Sequence, residues 1–413
     1  MSNPTITKMN PFPPTSDGTV NLPAVIEVFS IDIGLGYDIQ DCEIRQGGNN
    51  NVVMFSYMPF TTSDPTQPPP SNSRRFCILR TRKKILINSL NMRCKAIKTI
   101  VAVMHSFGEG SAHPSHLPIP AILAYDETYD NAIKCPYIIQ RRAAGDDLKE
   151  WYKVLDSQVP ATGPYDLTDR LRIAEEIAKF LARTENGSQL QVYGTLINGL
   201  GMLAKDIEFS GEKMEVRIRG PSVGTVQIPS LLHHIDMIER LIEAWIKILS
   251  PGAGAAQAEY QNVVELKGIF QQMKQEGRLD RVSSAATLWH QDLYPRNIMF
   301  NRAGVARELK LTAVIDWDGA MVLPRIMTRR PPHWFWKYNE LHENHRKIIK
   351  NHFYTYMERL VPGYREDAEG REARVVRALY VYAFWGPEYG YHTELSFKEL
   401  LKEWEKMGVE EMF

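Results

Sequence analysis

The run His290-Gln291-Asp292-Leu293-Tyr294-Pro295-Arg296-Asn297, followed by Val314-Ile315-Asp316-Trp317-Asp318, holds the residues best suited to chemistry. Asp292 can sit beside a hydroxyl. Asn297, separated from it by four residues, offers an amide oxygen to a metal ion. Asp316 offers a carboxylate to the same ion, with Asp318 as a neighbour just outside it. Between them lie a polar turn, Asn301 to Gly304, and an apolar stretch, Leu309 to Ile315. A loop, a hairpin and a metal-binding Asp in that order suit phosphoryl transfer. That reaction needs little covalent help but much charge neutralisation, and Mg²⁺ takes hard oxygen ligands. His290 is expected to brace the loop by hydrogen bonding. The plainer reading is that Asp and Asn cap turns; the joint spacing of the two runs argues against it.

Such a site needs elements that bring a nucleotide to it. Cys42–Arg45 and Val52–Tyr57 read as strands around the turn Gly47-Gly48-Asn49-Asn50-Asn51. Glycine lets backbone N–H groups approach phosphates, and Gly47, Gly48 and Asn49 are the expected phosphate cover. An ordinary hairpin turn explains the same residues. The segment Thr61–Ser73, with four prolines, reads as an exposed loop. Arg75–Arg80 is the third strand, and Arg80 at its end is a cation that can pair bidentately with phosphates. Asn91–Met104 reads as a helix. Ile119–Tyr125 and Tyr137–Gln140 read as further strands.

The pattern then changes. Leu167–Thr184, Leu231–Leu249, Val263–Gln275, Trp336–Leu360 and Arg371–Phe384 are long amphipathic stretches. The expected class is α+β, a protein kinase-like two-lobe fold with a small antiparallel-sheet N-lobe and a larger helical C-lobe. The division reads as a flexible tail over 1–20, a nucleotide-binding lobe over 21–140 and a helical lobe with the catalytic loop and substrate site over 141–413. The hinge falls at Gln140–Gly145.

In its order of parts the chain resembles the aminoglycoside phosphotransferase and choline kinase-like family, most of all its fungal branch. The resemblance is carried by Leu288–Ile298, Ile315-Asp316-Trp317-Asp318, Val322-Leu323-Pro324-Arg325 and Arg330-Pro331-Pro332-His333-Trp334-Phe335-Trp336. It implies Asp292 as the catalytic Asp, with Asn297 and Asp316 as metal ligands. It also implies a base bound near Gln140 and Arg142, with ATP and Mg²⁺ as cofactors. The implied activity is transfer of the γ-phosphoryl of ATP to a hydroxyl of a small metabolite. Two alternatives remain beside it. One is a kinase-fold pathway enzyme with other chemistry, such as nucleotide activation or a nucleotide-free condensation. The other is a non-catalytic binding module.

One departure bears on all three. The family pairs its strand cation with a Glu on the next helix, yet no Asp or Glu lies between Pro65 and Gly108. Arg74, Arg75, Arg80, Arg82, Lys83, Lys84, Arg93, Lys95 and Lys98 fill that segment instead. The usual ion pair therefore cannot form locally.

Aromatic residues Trp334, Trp336, Tyr380, Tyr382, Phe384, Trp385, Tyr389 and Tyr391 lie among Glu340, Glu388 and Glu394. Most of these rings read as core, but Trp385, Glu388 and Tyr389 are expected to line an acceptor pocket, and such a wall could hold an amine. His233 and His234 are adjacent and would diverge on a helix, a poor metal pair.

Lys plus Arg and Asp plus Glu both total 49, giving no net charge, so nucleic-acid or anionic-membrane attraction is not indicated. The four cysteines form no C-x-x-C pair. With no apolar leader and no long apolar run, a cytoplasmic protein acting on a small-molecule acceptor is expected. Oligomeric state has no signature.

Overall fold

A computed structural model describes residues 37–46, 50–59, 75–82, 100, 101, 103, 107, 116–128, 130, 131, 136–157, 165–186, 194, 195, 213–218, 224–229, 233–249, 257–281, 285–290, 292–303, 308–336, 343–386 and 394–410. Gly47, Gly48, Asn49, the loop at 61–73, Glu388 and Tyr389 lie outside this set, as does the side chain of Trp385.

Five strands make one antiparallel sheet. They are β1 (Tyr37–Gln46), β2 (Asn50–Pro59), β3 (Arg75–Arg82), β4 (Ile122–Asp126) and β5 (Tyr137–Arg141), in the order β1-β2-β3-β5-β4. Alternation sorts β3 into faces. Cys77, Leu79 and Thr81 are buried on one, while Ile78 and Arg80 share the other. The central position of β3 thus aims Arg80 away from the apolar face of its own strand. Between β3 and β4 the expected helix at 91–104 is described only in part, with Ile100, Val101 and Val103 helical and buried.

After the sheet come β6 (Asp146–Asp147) and the helices α1 (Leu148–Ser157) and α2 (Tyr165–Asn186). Asp147 caps α1, accepting the Glu150 N–H at 2.9 Å. Short strands β7 (Gly194–Thr195), β8 (Lys213–Ile218) and β9 (Gly224–Pro229) lead to α3 (His234–Ile248), α4 (Gln257–Gln275) and α5 (Arg278–Arg281). Then β10 (Ala286–Trp289), β11 (Ile298–Ala303), β12 (Glu308–Val314) and β13 (Met321–Pro324) carry the catalytic run. Helices α6 (Arg325–Thr328), α7 (Glu343–Leu360), α8 (Tyr364–Glu369), α9 (Arg371–Trp385) and α10 (Phe397–Glu410) complete the chain. Pro331 and Pro332 set a 3₁₀ turn, His333–Phe335, ahead of the stretch expected over Trp336–Leu360, within which α7 is described over Glu343–Leu360.

Helix α2 is central because its apolar stripe faces two partners. Ile173, Ala174, Ile177 and Ala178 are buried against Ile298, Phe300 and Leu309 of the hairpin and against Ile349, Phe353 and Met357 of α7. Each such side chain contributes about 1.5–3 kcal/mol by leaving water. A second core joins α3, α4 and α9 to β10 and β13. There Trp245 donates to Ala383 O at 3.0 Å. Among the described residues no helix is long and apolar enough to cross a membrane.

One close approach ties the hinge to the catalytic hairpin. Gly145 sits at φ +89°, and a Cβ there would lie 2.0 Å from Phe300 O. Beside it, Asp146 and Asp147 pair with Phe300 and Met299. Gly145→Ala is therefore expected to destabilise the protein by at least about 2 kcal/mol, since it meets backbone rather than a movable side chain. Thermal unfolding of the variant checks this.

A buried histidine adds a pH dependence. His234 Nδ1 lies 2.7 Å from the Tyr380 hydroxyl. Burial, reinforced by His233, pushes its pKa down to about 4 from 6.5. The unfolded chain takes up that proton first, so the stabilising contribution is full above pH 6.5 and is lost as pH falls towards about 4. Unfolding midpoints should decline across that window in the wild type and decline less in His234→Gln.

A candidate phosphotransfer site

The catalytic run becomes a hydrogen-bonded circuit because β11 and β12 are antiparallel neighbours. Ile298 pairs with Val314, so the residue before β11 and the residues after β12 meet at the open end of the hairpin. There Ile315 N–H donates to Asn297 O at 2.9 Å. His290, just after β10, donates from Nε2 to Ile315 O at 2.8 Å. Its Nδ1 accepts the Asp292 N–H at 3.2 Å. That pair of roles requires the neutral imidazole with its proton on Nε2. Burial pushes the His290 pKa down, outweighing the Ile315 carbonyl and the nearby Asp316 and Asp292. The ring also stands edge-on to Trp317, with centroids 4.6 Å apart.

Asn297 closes the circuit. Its Nδ2 donates to Asp292 O at 2.8 Å and to Asp292 Oδ2 at 2.9 Å. Two acceptors on one side fix which way the amide faces. Arg296 holds the Asp292 carboxylate from outside, at 2.6 Å to Oδ1 and 2.5 Å to Oδ2, and stacks over the Tyr294 ring. Asp292 is thus a positioned acceptor of hydrogen bonds.

Asp316 occupies the left-handed region, φ 69° and ψ 51°, and no other described non-glycine residue has positive φ. Such a backbone costs about 1–3 kcal/mol, least for Asp and Asn, and is held by its surroundings. The next residue shows how. Trp317 is buried, donates to Val314 O at 2.8 Å and meets Phe180 edge-on. Sinking that indole into the core leaves Asp316 and Asp318 on the opposite side, facing the sheet.

Arg80 meets them there. Its Nη2 donates to Asp316 Oδ1 at 2.6 Å and to Asp318 Oδ1 at 3.1 Å. Burial alone would lower its pKa, but the charges of Asp318 and Asp316 outweigh that and raise it. The local ion pair that the sequence cannot supply is replaced by one spanning 236 residues. Sequence reasoning had all three residues in the site and missed their pairing. The signal was available: a strand cation with no acid from Pro65 to Gly108 needs a distant carboxylate.

The donor set fits Mg²⁺. With Nδ2 turned to Asp292, the Asn297 amide oxygen faces away from it. With Oδ1 of Asp316 on Arg80, Oδ2 has no hydrogen bond to another described residue. Two hard oxygens on adjoining backbone are what this ion takes from a protein that leaves it phosphates and waters. Among the described residues no group of three His, Cys, Asp or Glu could hold a metal ion by itself.

At the hinge the N–H of Arg141 donates to Ala121 O at 2.8 Å and that of Arg142 to Phe76 O at 2.9 Å. Sheet contacts thus engage these two donors, and the Arg142 guanidinium lies over the Phe76 ring. Gln140 is buried between β3 and β4. Gly47, Gly48 and Asn49 lie outside the described residues, as do Glu388 and Tyr389 with the Trp385 side chain. Tyr380, Tyr382, Phe384 and Trp336 are core. Trp334 and Glu394 instead line a cavity of about 300 Å³ that His290 and Asp292 also line. Glu185 and Arg377, which carried no motif, line it too.

The profile of the phosphotransferase enzyme family matches residues 100–328, more than half of the chain. The chain belongs to that family. It is a phosphotransferase, with the kinase-like arrangement of a small antiparallel sheet and a helical remainder. Among curated proteins none matches it. Solved structures similar to it include the aminoglycoside phosphotransferase APH(4)-Ia, at 13% identity over 88% of this chain and 98% of that one, TM-score 0.42. The streptomycin–ATP complex of APH(2″)-IIa is 13% identical over 93% and 97%, TM-score 0.43. A glucosamine kinase is 10% identical over 91% and 97%, TM-score 0.33.

Removing the Arg80 charge should be felt twice. Arg80→Met leaves Asp316 and Asp318 facing each other without their cation, a loss of about 1.5–3 kcal/mol for a partly buried pair. Arg80→Lys should retain most of the stability. Urea unfolding of the three proteins checks both statements.

Proposed function

We propose that this phosphotransferase moves the γ-phosphoryl of ATP to a hydroxyl of a small metabolite, with Mg²⁺ held by Asn297 and Asp316. In this reading the residues at 21–140 bind nucleotide and those at 141–413 bind the acceptor. The bond from Arg80 to Asp316 carries the proposal, because it sets the strand cation beside the metal carboxylate. Both ion-pair contacts of Arg80 come from Nη2, and its other N–H groups have no partner among the described residues. Those groups are donors for phosphate oxygens.

Asp292 would orient the acceptor hydroxyl and take its proton as the O–P bond forms. Arg296 and Asn297 fix its carboxylate, so it acts by position more than by basicity. His290, neutral and bonded to Ile315, keeps the loop against the metal-binding turn. When bound, the metal ion supplies neutralisation of the phosphate charge. A base at the hinge would be met through carbonyl groups and apolar contacts, since the Arg141 and Arg142 N–H groups are engaged.

Isothermal titration with ATP tests the reading. Micromolar binding that needs Mg²⁺ and weakens at least about tenfold in Asp316→Ala is expected. Asp292→Asn should still bind ATP while its turnover falls by about 10²–10⁴-fold. Undiminished turnover in Asp292→Asn, release of AMP, or binding indifferent to Mg²⁺ would each overturn it.

A further inference from the structure

The loop that carries Asp292 brings a second cation to it, and holding the carboxylate uses little of that cation. Arg296 touches Asp292 through one nitrogen. Nη2 donates to Oδ1 at 2.6 Å and to Oδ2 at 2.5 Å. A guanidinium has five N–H donors, and its strongest grip on a carboxylate sets two nitrogens side by side. Here Nε and Nη1 have no hydrogen bond to any described residue. The side chain is 57% exposed, and the guanidinium lies over the Tyr294 ring, 5.2 Å from its centroid. Tyr294 lines the same cavity as Asp292, so the ring keeps the cation at that mouth.

The plainer role is a clamp. An exposed ion pair four residues apart adds little stability, and Asn297 already orients the same carboxylate. Holding Asp292 therefore leaves most of this guanidinium unexplained.

The carboxylate shows where an acceptor hydroxyl would enter. Its two oxygens offer about four lone-pair sites. Oδ2 receives both Arg296 and Asn297, whereas Oδ1 receives Arg296 alone. The open site is on Oδ1. A hydroxyl that donates there places its oxygen about 2.7 Å from Oδ1 and no farther than about 5 Å from Nη2. Whatever group that oxygen receives comes within reach of the unused N–H groups of Arg296.

We propose that Arg296 is a catalytic residue of the transfer. With Nη2 kept on Asp292, its other N–H groups bind the oxygens of the phosphoryl as it passes to the acceptor. The proposal rests on the phosphotransfer reading. In that step the acceptor oxygen forms its bond to the γ-phosphorus. The bond from that phosphorus to the β,γ-bridging oxygen breaks, and its electron pair leaves with ADP. The hydroxyl proton passes to Oδ1 of Asp292. Charge spreads over the three peripheral oxygens of the phosphoryl. Arg80 is bonded to Asp316 and Arg296 to Asp292, so one cation stands beside each of the two carboxylates. A guanidinium that meets charge as it is transferred stabilises the transition state more than the bound nucleotide.

The test needs no knowledge of the acceptor. Full-length protein with Mg²⁺ and ADP is titrated with and without fluoroaluminate, which takes the place of the phosphoryl in flight, with water as acceptor. Calorimetry compares these complexes with Mg²⁺-ATP. Fluoroaluminate should tighten ADP binding by at least about tenfold in the wild type. Arg296→Met should lose most of that tightening while ATP affinity changes by less than about threefold, and Arg296→Lys should recover part of it. A double-mutant cycle separates a direct contact from action through Asp292. In an Asp292→Ala background, where no carboxylate is left to hold, Arg296→Met should still weaken the fluoroaluminate complex. Melting temperatures would show that the variants are folded. Tightening that survives Arg296→Met, equal weakening of ATP and the fluoroaluminate complex, a loss that vanishes in the Asp292→Ala background, or no tightening in a wild type that binds Mg²⁺-ATP would each overturn the proposal. All four leave the phosphotransfer reading standing. A wild type without Mg²⁺-dependent ATP binding would reject that reading and this role with it.

Discussion

A guanidinium that leaves water must find negative charge, and in this protein that requirement joins the sheet to the catalytic hairpin. Arg80 stands in a segment without a single acid from Pro65 to Gly108. Among the described residues its ion pairs are with Asp316 and Asp318. Desolvation makes an unpaired charge there prohibitive, so the sheet cannot drift from the hairpin without losing the pair. The same bond helps to hold Asp316 in its left-handed backbone, which in turn depends on Trp317 being sunk beside Phe180 and His290. The sheet, the Asp316 carboxylate and the loop around Asp292 are thus set by one linked group of contacts.

The parts of this arrangement that follow from local chemistry were legible in the sequence. The β strands and most long helices show in their apolar periods, and Asp292, Asn297 and Asp316 show in their spacing, because a hairpin of fixed register must bring its two ends together. What was not legible depends on distant partners. The Arg80 pair spans 236 residues, and neither end marks the other in sequence. The N–H groups of Arg141 and Arg142 look available in sequence, yet Ala121 and Phe76 take them in the sheet. The 3₁₀ turn after Pro331 and Pro332 has no amphipathic period and was not legible as an element. The helix Phe397–Glu410 and the hairpin Lys213–Pro229 were overlooked.

Glu185 illustrates the same limit more sharply. On helical spacing it is one more acid near the end of α2, and nothing local separates it from the half-buried Glu175 and Glu176, which pair with Arg172. Its burial beneath Arg325 and Arg329 arises because α6 follows β13 across the mouth of that helix end. The ion pairs there favour specificity of arrangement over raw stability, since desolvating such charges offsets much of their attraction. A purely apolar floor would hold the helices together as well, but it would not present a guanidinium to the cavity.

Charge balance then distinguishes the two sides of the catalytic loop. On the sheet side, Asp316 and Asp318 share Arg80, and their hard oxygens suit a divalent cation. On the cavity side, Glu185, Asp292 and Glu394 each receive an arginine, from Arg329, Arg296 and Arg377. Partly enclosed sites focus such fields, so the two sides present different charge arrangements to a ligand. Asp292, held by Arg296 and Asn297, stands where the two sides meet.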